Sequence, residues 1–113
     1  MNAAIEHNLD AIHALCREYG VARLEVFGSA VTGEFDPTRS DVDFLVEYAP
    51  DTDLGPWLKH YFELRDALAS LLDRGVDVVM ASAPAMENPY FRREADKTRT
   101  VIYDAAKVIE LAP

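Results

Sequence analysis

The run DVDFLVEY, residues 41–48, carries two aspartates, Asp41 and Asp43, where alternating apolar residues predict a strand. Residues two apart on a strand face the same side, about 6.6 Å apart along it. Carboxylates so placed repel one another, and where water is restricted one of them must take up a proton at a cost. A divalent cation between them removes the conflict. All-oxygen ligands suit Mg2+ or Mn2+, and Mg2+ usually brings substrate phosphates with it. Gly28-Ser29 closes the preceding apolar run, VARLEVF. A glycine there lets backbone approach a ligand, turn N–H groups can cradle an anion, and the serine hydroxyl can donate to a phosphate oxygen. Asp77 in VDVVM is a third carboxylate. With its strand beside that of Asp41 and Asp43, the three could hold two Mg2+ ions. One ion would activate an attacking hydroxyl, and the other would hold a triphosphate and its leaving pyrophosphate. Asp77, nearest the attacking group, could also act as general base.

These residues need elements to position them. Ile5, Leu9, Ile12, Leu15, Cys16 and Tyr19 predict a helix over 3–19, stopped by Gly20. A strand over 21–27 leads into Gly28-Ser29 and a short helical turn at 30–33. GEFDPTRS, with Asp36-Pro37, reads as a loop. In the second strand Val42, Phe44, Val46 and Tyr48 face one way, and Asp41, Asp43, Leu45 and Glu47 the other. Asp53 is the expected N-cap of a long helix over 56–73, with a stripe of Leu58, Tyr61, Phe62, Leu64, Leu68, Leu71 and Leu72. Trp57, Tyr61 and Phe62 are expected in core and helix packing rather than as a base-stacking platform. Gly75 ends the turn before a strand at 76–80. Pro89 opens a helix to about Lys97, and TVIYD is a short fourth strand. Strands alternating with helices give a small four-stranded α/β sheet with helices packed on it. No linker parts the chain, so residues 1–113 are expected to form a single domain.

Half of the 113 residues are apolar, enough for one modest core. The formal net charge of −9 argues against a nucleic-acid footprint. It fits a cation or a basic partner protein, or serves solubility alone. Cys16, the one cysteine, excludes an internal disulfide and reads as a core residue. The acidic N-terminus lacks the basic region of a signal peptide, and no apolar run reaches membrane-spanning length. A cytoplasmic protein is expected, in contact with neither membrane nor nucleic acid. His7, His13 and His60 have no metal-ligand spacing. Arg92, Arg93, Lys97 and Arg99 form a basic cluster that could hold a triphosphate, meet an acidic patch on a partner, or be a solvated helix face.

The run GSAVTGEFDPTRSDVDFLV resembles the signature of the DNA polymerase β nucleotidyltransferase superfamily. That signature is an apolar residue, Gly-Ser, a loop, then Asp-x-Asp and further apolar residues. The segments GVDVV and NPYFRRE resemble the minimal nucleotidyltransferase (MNT) group, and the likeness spans about Ala22 to Tyr103. The gap from Ser29 to Asp41 looks one residue longer than the commonest MNT spacing, which the Asp36-Pro37 loop can absorb. The resemblance implies an α+β nucleotidyltransferase fold with a mixed four-stranded sheet. It implies Gly28 and Ser29 on the triphosphate, Asp41 and Asp43 as metal ligands and Asp77 as the third carboxylate, with two Mg2+ ions and ATP as substrate. Members of the group often act as antitoxins beside a HEPN-domain ribonuclease toxin, and the implied act is adenylylation of a toxin tyrosine. Little chain remains to build a second wall over the site, so the acceptor is expected from a partner protein. The rival readings are a binding-only antitoxin that occludes its partner, and a transferase for a small molecule, which the short length disfavours.

Overall fold

Alternation along the second strand decides the architecture. In β2 (Val42–Tyr48), Val42, Phe44 and Val46 are wholly buried. They pack beneath α2 (Leu9–Glu18) and α4 (Lys59–Leu72), with Ile12, Cys16, Leu64, Leu68 and Leu72 in the same core. The computed structural model describes residues 2–32 and 41–107. Its other elements are α1 (Ala3–His7), β1 (Val21–Phe27), α3 (Ser29–Thr32), β3 (Val76–Met80), α5 (Pro89–Asp96) and β4 (Thr100–Asp104). Turns of 3-10 helix lie at Pro56–Leu58 and Pro84–Glu87. The sheet order is β3-β2-β1-β4; β2 and β3 are parallel, and the other pairs are antiparallel. This is the expected mixed sheet, with α4 as the crossover that parallel neighbours require.

The opposite face of the sheet is also covered, by α5 and the Pro84–Glu87 turn. Leu45, Met86 and Ala95 are buried there, and Phe27 meets Phe91 edge-on at 6.2 Å between ring centroids. No helix among the described residues is long and apolar enough to cross a membrane.

Three sequence expectations are corrected. The helix expected over 3–19 breaks at Asn8, whose side-chain amide donates to the Ala4 carbonyl at 2.7 Å while its own N–H turns to Ile5. Asparagine competes for backbone partners in this way, and the helix restarts at Leu9. Asp53 is not the cap of α4: its carboxylate accepts the Gly55 N–H at 2.8 Å, and α4 begins at Lys59. Trp57 and Leu58 before it are both left-handed, each at φ 56°. That geometry swings Trp57 into solvent at 94% exposure, with Phe62 at 41%, so the buried stripe starts only at Leu64. Tyr61 does pack inward, its hydroxyl donating to the Val78 carbonyl.

The side chains expected to be structural are so placed. Cys16 is fully buried, and desolvation pushes its thiol up to about 12, so it stays protonated and inert. His13 and His60 each place Nε2 at 2.6 Å from a carbonyl, of Ile102 and Tyr19 respectively, and must donate there. The expected loop at 33–40 and the tail at 108–113 lie outside the described residues.

Candidate active site

Asp43 and Asp77 are register partners in the parallel pair of β2 and β3. Adjacent strands lie about 4.8 Å apart, so these carboxylates start side by side on one face of the sheet. Asp41 precedes β2 by a single residue and starts on the same face as Asp43. On the other flank, Phe27 of β1 pairs with Asp43, which brings the Gly28-Ser29 turn against it. Gly28 has φ +78°, and a Cβ there would lie only 3.0 Å from Asp43 Oδ2. The position therefore demands glycine twice over, for its backbone angle and for the close approach of a carboxylate. Gly75 is a second seat: a Cβ on it would collide with the Asp41 carboxylate. Sequence reasoning took Gly75 only as a turn.

The electrostatics follow from this grouping. Burial raises the Asp43 carboxyl to about 6, and the negative charges of Asp77 and Asp41 push the same way. Among the described residues no three His, Cys, Asp or Glu side chains converge as a ready-made cage. Asp41 leans toward Gly75 at the β3 side and Asp43 toward Gly28 at the β1 side, the splay that like charges adopt. As a donor set, hard carboxylate oxygens on one face of the sheet, that of Asp43 raised by burial and then by its neighbours, suit a divalent cation such as Mg2+.

Beside Gly28 lies a cavity of about 490 Å³ lined by Phe27, Gly28, Ser29, Phe91, Lys97 and Thr98 among others. Ser29 lines it. The Gly28 N–H donates to Thr98 Oγ1 at 2.7 Å. That bond satisfies this N–H within the fold and anchors the turn that carries Ser29. Thr98 is a residue sequence reasoning missed, and with the whole of β2, α4 and β3 between the two, no local pattern points to it.

A buried ion pair supports the same corner. Glu25, 5% exposed, accepts from Arg99 Nε at 3.3 Å and Nη2 at 2.8 Å, and Arg99 Nη1 also reaches Asp96 at 2.8 Å. This fork ties the turn between α5 and β4, which carries Thr98, to β1, which leads into Gly28. The basic cluster thus divides. Arg99 is a strut, Lys97 pairs with Glu94 at 3.0 Å beside the cavity, and Arg92 lines a smaller hollow of about 240 Å³ with Arg99 and Glu87. Arg93 is exposed.

The profile of the nucleotidyltransferase domain matches residues 10–109. The chain belongs to this family. Its nucleotidyltransferase fold is shared with solved structures. A toxin–antitoxin structure with AMP-PNP is 26% identical, with a TM-score of 0.65 over 92% of this chain and 79% of that one. A structure described as a minimal nucleotidyltransferase is 27% identical, with a TM-score of 0.66 over 88% and 95%. The MNT antitoxin complex with the tri-AMPylated HEPN toxin of Shewanella oneidensis, 24% identical, has the same fold, with a TM-score of 0.60 over 94% and 77%. No curated protein matches the chain.

Proposed function

We propose that the chain, as a single domain, transfers AMP from ATP to a tyrosine hydroxyl of a HEPN-domain partner, and so acts as the antitoxin to that ribonuclease. The observation that carries this reading is the Asp43–Asp77 register with Gly28-Ser29 on its other flank. It puts the cavity lined by Gly28 and Ser29 beside the face that carries the carboxylates.

Ser29 holds a phosphate oxygen at the mouth of the cavity, and the Thr98–Gly28 bond fixes the turn that presents it. Asp41, Asp43 and Asp77 would hold two Mg2+ ions, which supply charge neutralisation at the triphosphate and lower the pKa of the attacking hydroxyl. Asp77, exposed at the edge strand, is placed to take the acceptor's proton as the hydroxyl attacks the α-phosphorus in line and pyrophosphate leaves. Catalysis is then mainly positioning and charge neutralisation. The carboxylate face is open, with Asp41 and Asp77 both exposed, which suits an acceptor that arrives on another protein. Two features of neighbours support the reading: AMP-PNP in one toxin–antitoxin structure and an AMPylated HEPN toxin beside its MNT antitoxin in another.

The second reading is neutralisation by occlusion alone, favoured by the splay of the carboxylates. Labelled ATP, Mg2+ and the product of the neighbouring gene, where that is a HEPN-domain protein, separate the two. Label on a tyrosine of that protein with wild type, and none with Asp41→Asn/Asp43→Asn, supports transfer. Full neutralisation by the double variant, with no label anywhere, overturns it.

A further inference from the structure

Trp57, the only tryptophan in the chain, is 94% exposed, and Leu58 and Phe62, next to it and one helical turn further on, are 38% and 41% exposed. Single apolar side chains in water need no explanation, but a cluster of large ones marks a contact surface. Here the backbone itself holds the cluster out. Gly55 has φ 73°, and Trp57 and Leu58 both have φ 56°. Two consecutive left-handed residues with side chains are strained, and strain of this kind persists where function retains it. The segment is also pinned. Asp53 accepts the Gly55 N–H, and the His60 N–H donates to the Leu54 carbonyl at 2.9 Å. The His60 ring sits against Tyr19 and Tyr48 at 4.9 and 5.9 Å. Arg65 covers the Phe62 ring at 4.9 Å while pairing with Asp66. Trp57 is therefore presented by a braced turn.

This surface is not part of the carboxylate site. His60 places the start of α4 by Tyr48, at the far end of β2 from Asp43, and that length of strand spans roughly 17 Å. The charge on the segments bounding it is negative: Glu18, Asp51, Asp53 and Glu63 outweigh Arg17 and Lys59, with Glu47 opposite Arg23 and Arg65 paired with Asp66. Two copies of this end would repel across a twofold interface. A basic rim around an apolar pocket would fit it.

We infer that the Trp57–Leu58–Phe62 surface docks the HEPN-domain partner, seating the Trp57 ring in an apolar pocket rimmed by Lys or Arg, apart from the face where transfer takes place. The inference rests on the partner reading above. Docking at one end of the sheet raises the effective concentration of the acceptor at the other without occupying the nucleotide cavity.

The single tryptophan supplies the test. The full chain, labelled with 5-fluorotryptophan, is titrated with the unlabelled HEPN-domain protein and followed by 19F NMR. The resonance is expected to shift and to lose its sensitivity to H2O against D2O. Trp57→Ala should weaken partner binding tenfold or more, as a central aromatic anchor does, and raise KM for the partner. It should leave ATP binding, kcat at saturating partner and the melting temperature unchanged, and Trp57→Phe should recover part of the affinity. Partner binding that leaves the resonance and the Trp57→Ala affinity unchanged overturns the docking surface while the partner reading stands. A resonance that moves with the chain's own concentration assigns the surface to a second copy and also overturns it. Absence of any wild-type binding to the HEPN-domain protein removes the partner reading and this inference together.

Discussion

The two faces of β2 are built from alternate residues of the same strand and obey opposite rules. Val42, Phe44 and Val46 are wholly buried against α2 and α4, where stability comes from apolar area removed from water. Asp43, between Val42 and Phe44, is half-buried beside two other carboxylates and is raised to about 6. One face lowers the free energy of the fold, and the other raises it in the absence of a cation. The proposed cation site accounts for such a face, because packing alone would favour an apolar residue there.

Neighbouring substitutions on β2 should break this contrast most sharply. Asp43→Asn is expected to lower AMP transfer by about a thousandfold, as loss of a transition-state charge partner does, with urea stability unchanged or raised. Phe44→Ala should do the reverse. It should cost about 3–5 kcal/mol in urea denaturation through the cavity it leaves, and the surviving folded fraction should still bind nucleotide. Equal loss of stability from both would erase the distinction between the faces.

The supporting corner gives intermediate effects. Arg99→Met leaves Glu25 buried with only Arg23, at 3.6 Å, and is expected to cost about 2–3 kcal/mol by thermal denaturation. Glu25→Leu combined with Arg99→Met should cost less than the sum of the single changes, since no buried charge is then left unpaired and the freed Arg23 and Asp96 are exposed. Thr98→Val should cost about 1–2 kcal/mol by orphaning the Gly28 N–H. Its mark would be a raised KM for ATP that Thr98→Ser restores.

The smallest effect is the slope with pH. The Asp43 carboxyl has an ordinary value of 3.8 and stands at about 6 in the fold. Within that window the folded state binds more protons than the unfolded one. Its contribution to stability is therefore fully present below the ordinary value and is lost as pH rises through about 6. Denaturation series in EDTA should show this fall in wild type relative to Asp43→Asn. Mg2+ should oppose the fall above that range, where Asp43 is ionised.

Much of this molecule was legible in its residues. The strands at 21–27, 76–80 and 100–104 stand where alternation and turn residues put them, because strand period and glycine breaks are local properties. Asp41, Asp43 and Asp77 could be singled out because carboxylates in apolar strands are costly wherever they occur. Trp57 was misjudged because helical spacing was extended through Pro56. The chain instead turns left-handed at Trp57 and Leu58, and no periodicity records that. The break at Asn8 was hidden for a similar reason, since its apolar neighbours keep helical spacing on both sides.

Local spacing alone settled that this is a small α/β chain with three candidate carboxylates and a glycine-serine turn. Side-chain period and backbone freedom are written into each short stretch. Which of these groups meet was decided by the fold. The parallel register sets Asp43 beside Asp77, Gly75 seats Asp41, Thr98 takes the Gly28 N–H, and Glu25 holds Arg99. Those contacts join residues far apart in the chain, so they depend on how strands pair and helices cross, which no single stretch of residues contains.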